Sequence, residues 1–144
     1  MSDPLYRKEL LRYAANADGA GRLPHPCCSG QAFNPTCGDR ITIDLAVEDG
    51  RIVGLAHDTK ACVLTQASAS ILGSDLAGLT KAEVIALRDA VAAMLEGGHP
   101  PHAPFDVFSA FHGVAGHRNR IACVLLPFDA VLAAFDASEA AEPG

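Results

Sequence analysis

Ile41-Thr42-Ile43-Asp44-Leu45-Ala46-Val47-Glu48, then Asp49-Gly50, then Arg51-Ile52-Val53-Gly54-Leu55-Ala56-His57-Asp58 is the stretch that settles how this chain folds. Ile41, Ile43, Leu45 and Val47 alternate with Thr42, Asp44, Ala46 and Glu48, the period of a half-buried strand. Asp-Gly follows at once, and both positions of a two-residue hairpin turn need the positive φ that these residues tolerate. Arg51–Asp58 is then the return strand. Opposed residues in such a hairpin keep a constant sum of residue numbers, so Glu48 faces Arg51, Val47 faces Ile52 and Ile41 faces Asp58. Continued past the strand ends, the same register sets Cys37 against Cys62.

Helices flank this hairpin. Pro4–Ala17 carries Leu5, Leu10, Leu11 and Tyr13 among charged residues and reads as an amphipathic helix ended by Asp18-Gly19, followed by a loop over Gly19–Ser29. A short third strand is expected near Gln31-Phe33. From Cys62 to Leu72 the small residues read as a helix that packs closely on the sheet, with Cys62 at its N-terminus. There the helix dipole and free amides favour a thiolate. Thr80 and Glu83 form a capping box, Leu79 and Val84 a hydrophobic staple, and Val84, Leu87, Val91 and Leu95 one apolar face, ended by Gly97-Gly98. A Pro/His-rich connector leads to Phe105, Phe108 and Phe111. A last helix covers about Leu125–Ala137, burying Leu125, Phe128, Val131, Leu132 and Phe135. Proline fits only the first turn of a helix, so Pro127 puts Cys123 at or just before its start.

The expected fold is α+β: a small antiparallel three-stranded sheet with helices packed on one face. The chain reads as one domain over 1–144, with an N-terminal helix over 1–18, an inserted connector over 97–119 and a flexible tail over 138–144. The net charge of −6 and the scattering of the 11 basic residues argue against a nucleic-acid face and suit a basic protein partner. No apolar run is read as approaching the roughly 20 residues of a membrane span, and no basic patch, apolar core and cleavage site open the chain. The expectation is a cytoplasmic protein without a membrane partner. There five cysteines stay reduced, which favours metal or sulfur chemistry over disulfides.

Cys37, Asp39, Cys62 and Cys123 form the candidate set. Zn²⁺ prefers four tetrahedral ligands from thiolate, imidazole and carboxylate, and Cys37-Gly38-Asp39 offers a thiolate and a carboxylate two residues apart. A carboxylate in place of a fourth thiolate makes a weaker, more exchangeable site, suited to work more than to structure. Spacing alone leaves two readings open, a metal or cluster site and scattered buried thiols. Cys27 and Cys28 read as loop thiols, or as accessory thiols that accept sulfur from Cys37. His99 and His102 in the connector read as polar loop residues, or else as a metal pair; His57, His112 and His117 likewise read as polar residues outside the site, of which His117 is the nearest candidate to approach it.

Asn34-Pro35-Thr36-Cys37-Gly38-Asp39-Arg40-Ile41, Ala61-Cys62 leading into Ala67-Ser68-Ala69-Ser70, and Arg120-Ile121-Ala122-Cys123 before a helix resemble the U-type iron–sulfur assembly scaffold family: IscU, the N-terminal domain of NifU, and SufU. The long interval from Cys62 to Cys123 resembles the SufU branch. The LPPVK segment of IscU is missing, and Ala122 stands where IscU has a histidine and SufU-like chains a lysine. Val124-Leu125-Leu126-Pro127 also departs from the small, polar opening that SufU-like chains give their last helix. The resemblance implies that Cys37, Asp39, Cys62 and Cys123 bind Zn²⁺ in the SufU manner or hold a transient [2Fe-2S] cluster in the IscU manner. It implies that Cys37 accepts sulfur from a SufS-like cysteine desulfurase and that downstream cluster-assembly proteins are partners; Arg120 either supports a thiolate or persulfide or makes a surface salt bridge. Three function classes follow: a zinc-dependent sulfur acceptor, a scaffold that assembles and hands on a cluster, and a zinc-stabilised docking domain.

Overall fold

Asp49 and Gly50 both adopt positive φ, at 53° and 77°, and the hairpin turns where Asp-Gly places it. The structure is a computed structural model that describes residues 8–24, 28–36, 38–114 and 117–141. Helix α1 spans Lys8–Asn16, strands β1, β2 and β3 span Cys28–Asn34, Asp39–Glu48 and Arg51–Lys60, and helices α2 and α3 span Val63–Asp75 and Lys81–Leu95. A 3-10 helix over Phe105–Val114 precedes α4, Arg118–Ala141. The strands form one antiparallel sheet in the order β1-β2-β3. The third strand is thus present, and it is longer than the segment expected near Gln31-Phe33, taking in Cys28 and Ser29 from the expected loop.

Ile41, Ile43 and Leu45 are fully buried on the face that carries the helices, as their alternation requires. The register differs from the constant sum. Val47 pairs with Ile52, but Ala46 pairs with Gly54 and Ile41 with Thr59, with an irregularity between Ala46 and Val47. Val53 is the extra residue of a β-bulge, which the alternation on β2 could not reveal. The bulge turns His57 and Thr59 to the helix side and leaves Asp58 exposed. The unbroken ladder would instead have set Asp58 against buried Ile41. The free edge of β3 is partly taken by other backbone. His57 N–H donates to Gly19 O and Gly21 N–H to His57 O, while Ile52 N–H donates to Leu79 O and Gly78 N–H to Ile52 O.

Beyond Gly21 the chain reaches the sheet's other face. There Arg22 donates two hydrogen bonds to buried Asp44, at 2.6 and 2.9 Å, joined by Leu23 N–H and the Ser29 hydroxyl. Helix α2 packs chiefly on α1 and α4 and less on β3, so its small residues serve helix contacts more than the sheet contact expected of them. Thr80 and Glu83 make the capping box of α3, whose Val84, Leu87, Val91 and Leu95 are buried. Phe108 stacks on Phe111 and meets Phe128 of α4 at 5.5 Å between ring centroids.

Helix α4 begins seven residues earlier than expected, and Pro127 lies in its interior. The proline is accommodated because side chains of α2 serve carbonyls that it disturbs: Thr65 donates to Cys123 O and Ser68 to Val124 O. The helix reaches Ala141, into the stretch read as a flexible tail. Over 118–138 it is long and apolar enough to cross a bilayer by length and composition, contrary to the expectation that no run approaches that length. Its composition has a local cause, since most of this segment's core window is buried, against β1, β2, α2 and α3.

Candidate metal centre

Asp39 opens β2, Cys62 is the N-cap of α2, and Cys123 sits in the second turn of α4. These three elements bring one carboxylate oxygen and two Sγ atoms within 4.8 Å of one another. Asp39 and Cys123 are buried, and Cys62 is half-buried. The Cys62 sulfur does not cap its own helix. Instead Asp39 Oδ1 accepts the Cys62 N–H at 3.0 Å, and Asp39 Oδ2 accepts from Thr65 Oγ1 at 2.9 Å and from the Cys62 thiol at 3.3 Å. The carboxylate thus sits at the N-terminus of α2, where free amides and the helix dipole favour negative charge.

The electrostatics follow from these contacts. Burial works to raise the Asp39 pKa, but hydrogen bonds from the Cys123 thiol, the Cys62 amide, the Cys62 thiol and Thr65 together hold it below the ordinary carboxylate value. The Cys62 thiol is brought down from 9.0 to about 6, chiefly by its hydrogen bond with Cys123. Burial opposes this, Thr65 assists it, and Asp39 opposes it. A thiol so placed is a ready thiolate ligand or nucleophile.

Of the residues singled out in the sequence, Asp39, Cys62 and Cys123 meet, while Cys37 lies outside the described residues. Its loop is nonetheless anchored. Asn34 pairs with Asp39 across the β1–β2 ladder, and Asn34 Oδ1 accepts from Thr36 N–H in an Asx turn. Gly38 N–H donates to Asn34 O, and Gly38 takes φ of 72°. Both ends of the Cys37 loop therefore border the cluster. The ladder ends at the pair Arg40 and Lys60, so the expected facing of Cys37 and Cys62 lies outside the described residues.

Arg120 lies one helical turn before Cys123, and its side chain makes no hydrogen bond or ion pair among the described residues. Cys28 is buried at the far end of β1 from Asn34, and Cys27 lies outside the described residues. Among the described residues no histidine joins the cluster. His57 is buried between Thr59 Oγ1 and Asp18 O, His99, His102 and His117 are exposed, and the side chain of His112 lies outside the described residues.

Two residues of the site escaped the sequence reading. Thr65 touches Asp39, Cys62 and Cys123 at once, and Asn34 Nδ2 points at Cys123 Sγ from 4.0 Å. The Asn-Pro turn signal marked the place of Asn34, whereas nothing in the sequence separates Thr65 from an ordinary buried helix residue.

Residues 5–121 match the NifU-like N-terminal domain family, and the chain belongs to that family. The iron-sulfur cluster assembly scaffold protein IscU of Streptococcus pyogenes serotype M1 is 30% identical over 113 residues, which are 78% of this chain and 71% of that one. The zinc-dependent sulfurtransferase SufU of Bacillus subtilis is 24% identical over 130 residues, 90% and 88% of the two chains. The crystal structure of a nitrogen-fixing NifU-like protein (N-terminal) from Brucella abortus shares the fold with a TM-score of 0.90 at 35% identity, covering 97% of this chain and 98% of that one.

Proposed function

We propose that this protein acts in iron–sulfur cluster assembly as a sulfur acceptor, with a resident zinc ion held by Cys37, Asp39, Cys62 and Cys123. The observation that carries the reading is the convergence of two thiols and a carboxylate from three elements within 4.8 Å. That donor set suits Zn²⁺, and the loop bearing Cys37 starts and ends beside it. When bound, zinc supplies the Lewis acidity that keeps its cysteine ligands deprotonated.

The chain's own residues divide the work. Asp39 is held by the Cys62 amide and Thr65, so it stays in place while the Cys37 loop, with Pro35, Thr36 and Gly38 exposed, meets a partner. A SufS-like cysteine desulfurase presents a persulfide. The Cys37 thiolate attacks its terminal sulfur, the donor's S–S bond breaks, the donor cysteine leaves as thiolate, and Cys37 carries the new persulfide. Arg120, one turn before Cys123, offers a cation to that charge. Downstream cluster-assembly proteins take the sulfur on, and the setting for this chemistry is the cytoplasm.

A second reading has its own support. A relative that bears the IscU name is as similar in sequence as the SufU relative, which favours a scaffold whose cargo is a [2Fe-2S] cluster. Metal and acid-labile sulfide analysis of anaerobically purified protein separates the two when paired with a desulfurase assay of wild type, Asp39→Ala and Cys37→Ser. The expected result is about one zinc per chain, no labile sulfide, a stimulated desulfurase, and loss of stimulation in both variants. Iron with labile sulfide and little stimulation establishes the scaffold instead. A Cys37→Ser protein that still stimulates fully removes the sulfur-acceptor reading.

A further inference from the structure

Thr65 carries one hydroxyl proton and stands between two acceptors. Its Oγ1 lies 2.9 Å from Asp39 Oδ2 and 3.0 Å from the Cys123 carbonyl oxygen, and the residue is fully buried. The second acceptor exists because of a residue four positions on. In an α-helix the Cys123 carbonyl would accept the N–H of residue 127, and residue 127 is proline. The chain thereby orphans a buried carbonyl, a costly state unless another donor serves it. The next carbonyl, that of Val124, is served from the same face of α2 by Ser68 at 2.7 Å. Ser68 donates to a backbone carbonyl alone, whereas Thr65 also reaches a carboxylate of the metal centre.

We propose that Thr65 is the positioning residue of this centre, fixing Asp39 and Cys123 relative to one another through a single shared hydroxyl. Its two contacts pin the start of β2 and the second turn of α4 to α2, and those are the elements that carry two of the donors. A carboxylate oxygen has two lone-pair sites, so Asp39 Oδ2 can keep the Thr65 bond while it binds a metal. The hydroxyl then acts on the site as a ligand's outer hydrogen-bond partner does, by holding the ligand in its binding orientation. The proposal rests on the metal-centre reading only for its Asp39 half, since the capping of Cys123 needs no metal.

The two halves separate experimentally. Thr65→Val removes the hydroxyl and keeps the shape, Thr65→Ser keeps the hydroxyl, and Pro127→Ala gives Cys123 O its own N–H back. Thermal unfolding of the metal-free full chain and zinc affinity by chelator competition are the readouts, and neither uses desulfurase turnover. Thr65→Val is expected to lower Tm by roughly 3–9 °C and to weaken zinc binding roughly 10–100-fold. Thr65→Ser should recover most of both losses. Pro127→Ala in the Thr65→Val background should recover the Tm but not the zinc affinity, a split that a merely structural threonine would not produce. If Thr65→Val does not fold, Thr65→Ser and the double variant carry the test. Wild-type zinc affinity in Thr65→Val, or no Tm recovery from Pro127→Ala, overturns the proposal. A protein that passes this test yet fails to stimulate a desulfurase loses the sulfur-acceptor role alone.

Discussion

Cysteine and aspartate announce their chemistry by type, which is why Asp39, Cys62 and Cys123 could be singled out before their positions were known. Thr65 and Asn34 could not, because hydroxyls and amides occur everywhere and only a three-dimensional neighbour gives them a task. His57 shows the same limit. It reads as a polar loop or strand residue, yet it is buried, with Nε2 facing the Asp18 carbonyl and Nδ1 facing Thr59 Oγ1. A carbonyl only accepts, so Nε2 carries a proton, and burial favours the neutral ring over the imidazolium. Burial lowers its pKa, against smaller opposing effects of the Asp18 hydrogen bond and the Asp58 charge. An unfolded histidine titrates near ~6.5, so this contribution to stability is complete above that pH and is lost as pH falls through the lower folded value. Urea unfolding between pH 7.5 and 5 should therefore show wild type losing stability, with a flatter profile in His57→Gln. Parallel profiles would show that His57 does not set this dependence. Losses tied to Asp39 and Asp44, whose pKa values are also depressed, belong to a more acidic window.

Strand β2, the turn and α3 were legible because alternation, Asp-Gly and the capping box are local signals. The start of α4 and the bulge at Val53 were not, since each is decided by a partner distant in sequence. Pro127 sits inside a helix because α2 supplies the missing donors, and β3 changes face at Val53 because His57 has partners waiting on the helix side. Close approach between elements is likewise invisible until they meet. At Gly30 of β1, a Cβ would run into the backbone of α4 at Ala130 and Ala134, neither of which can yield as a side-chain tip can. Gly30→Ala should cost about 3 kcal/mol, the upper end of ordinary overpacking, and should move the urea midpoint accordingly. Gly54→Ala is the control, because its Cβ would meet the Ala46 side chain at 3.4 Å. Equal effects of the two would mean that β1 and α4 are not in backbone contact.

Helices on one face of a three-stranded sheet supply a core that does not draw on the metal centre: Leu10, Ile43, Ile71, Val91, Phe111 and Phe128 are all fully buried. Chelation should accordingly lower stability without unfolding the protein. At a free zinc level of about 100 times Kd the linkage amounts to about 2.7 kcal/mol, or roughly 8 °C in Tm for a chain of this size. A Tm unchanged by chelator would speak against a resident metal, and outright unfolding would make zinc part of the core. The backbone pairings at Gly19–Gly21 and Gly78–Thr80 have a consequence for how copies of this chain behave side by side. They occupy β3 at Ile52 and His57 and leave only short runs of its outer amides and carbonyls unclaimed. An extended segment from a neighbour finds too little ladder there on which to add, so the sheet is closed to growth on that side. Polymerisation along β3 would first have to strip the molecule of its own loops.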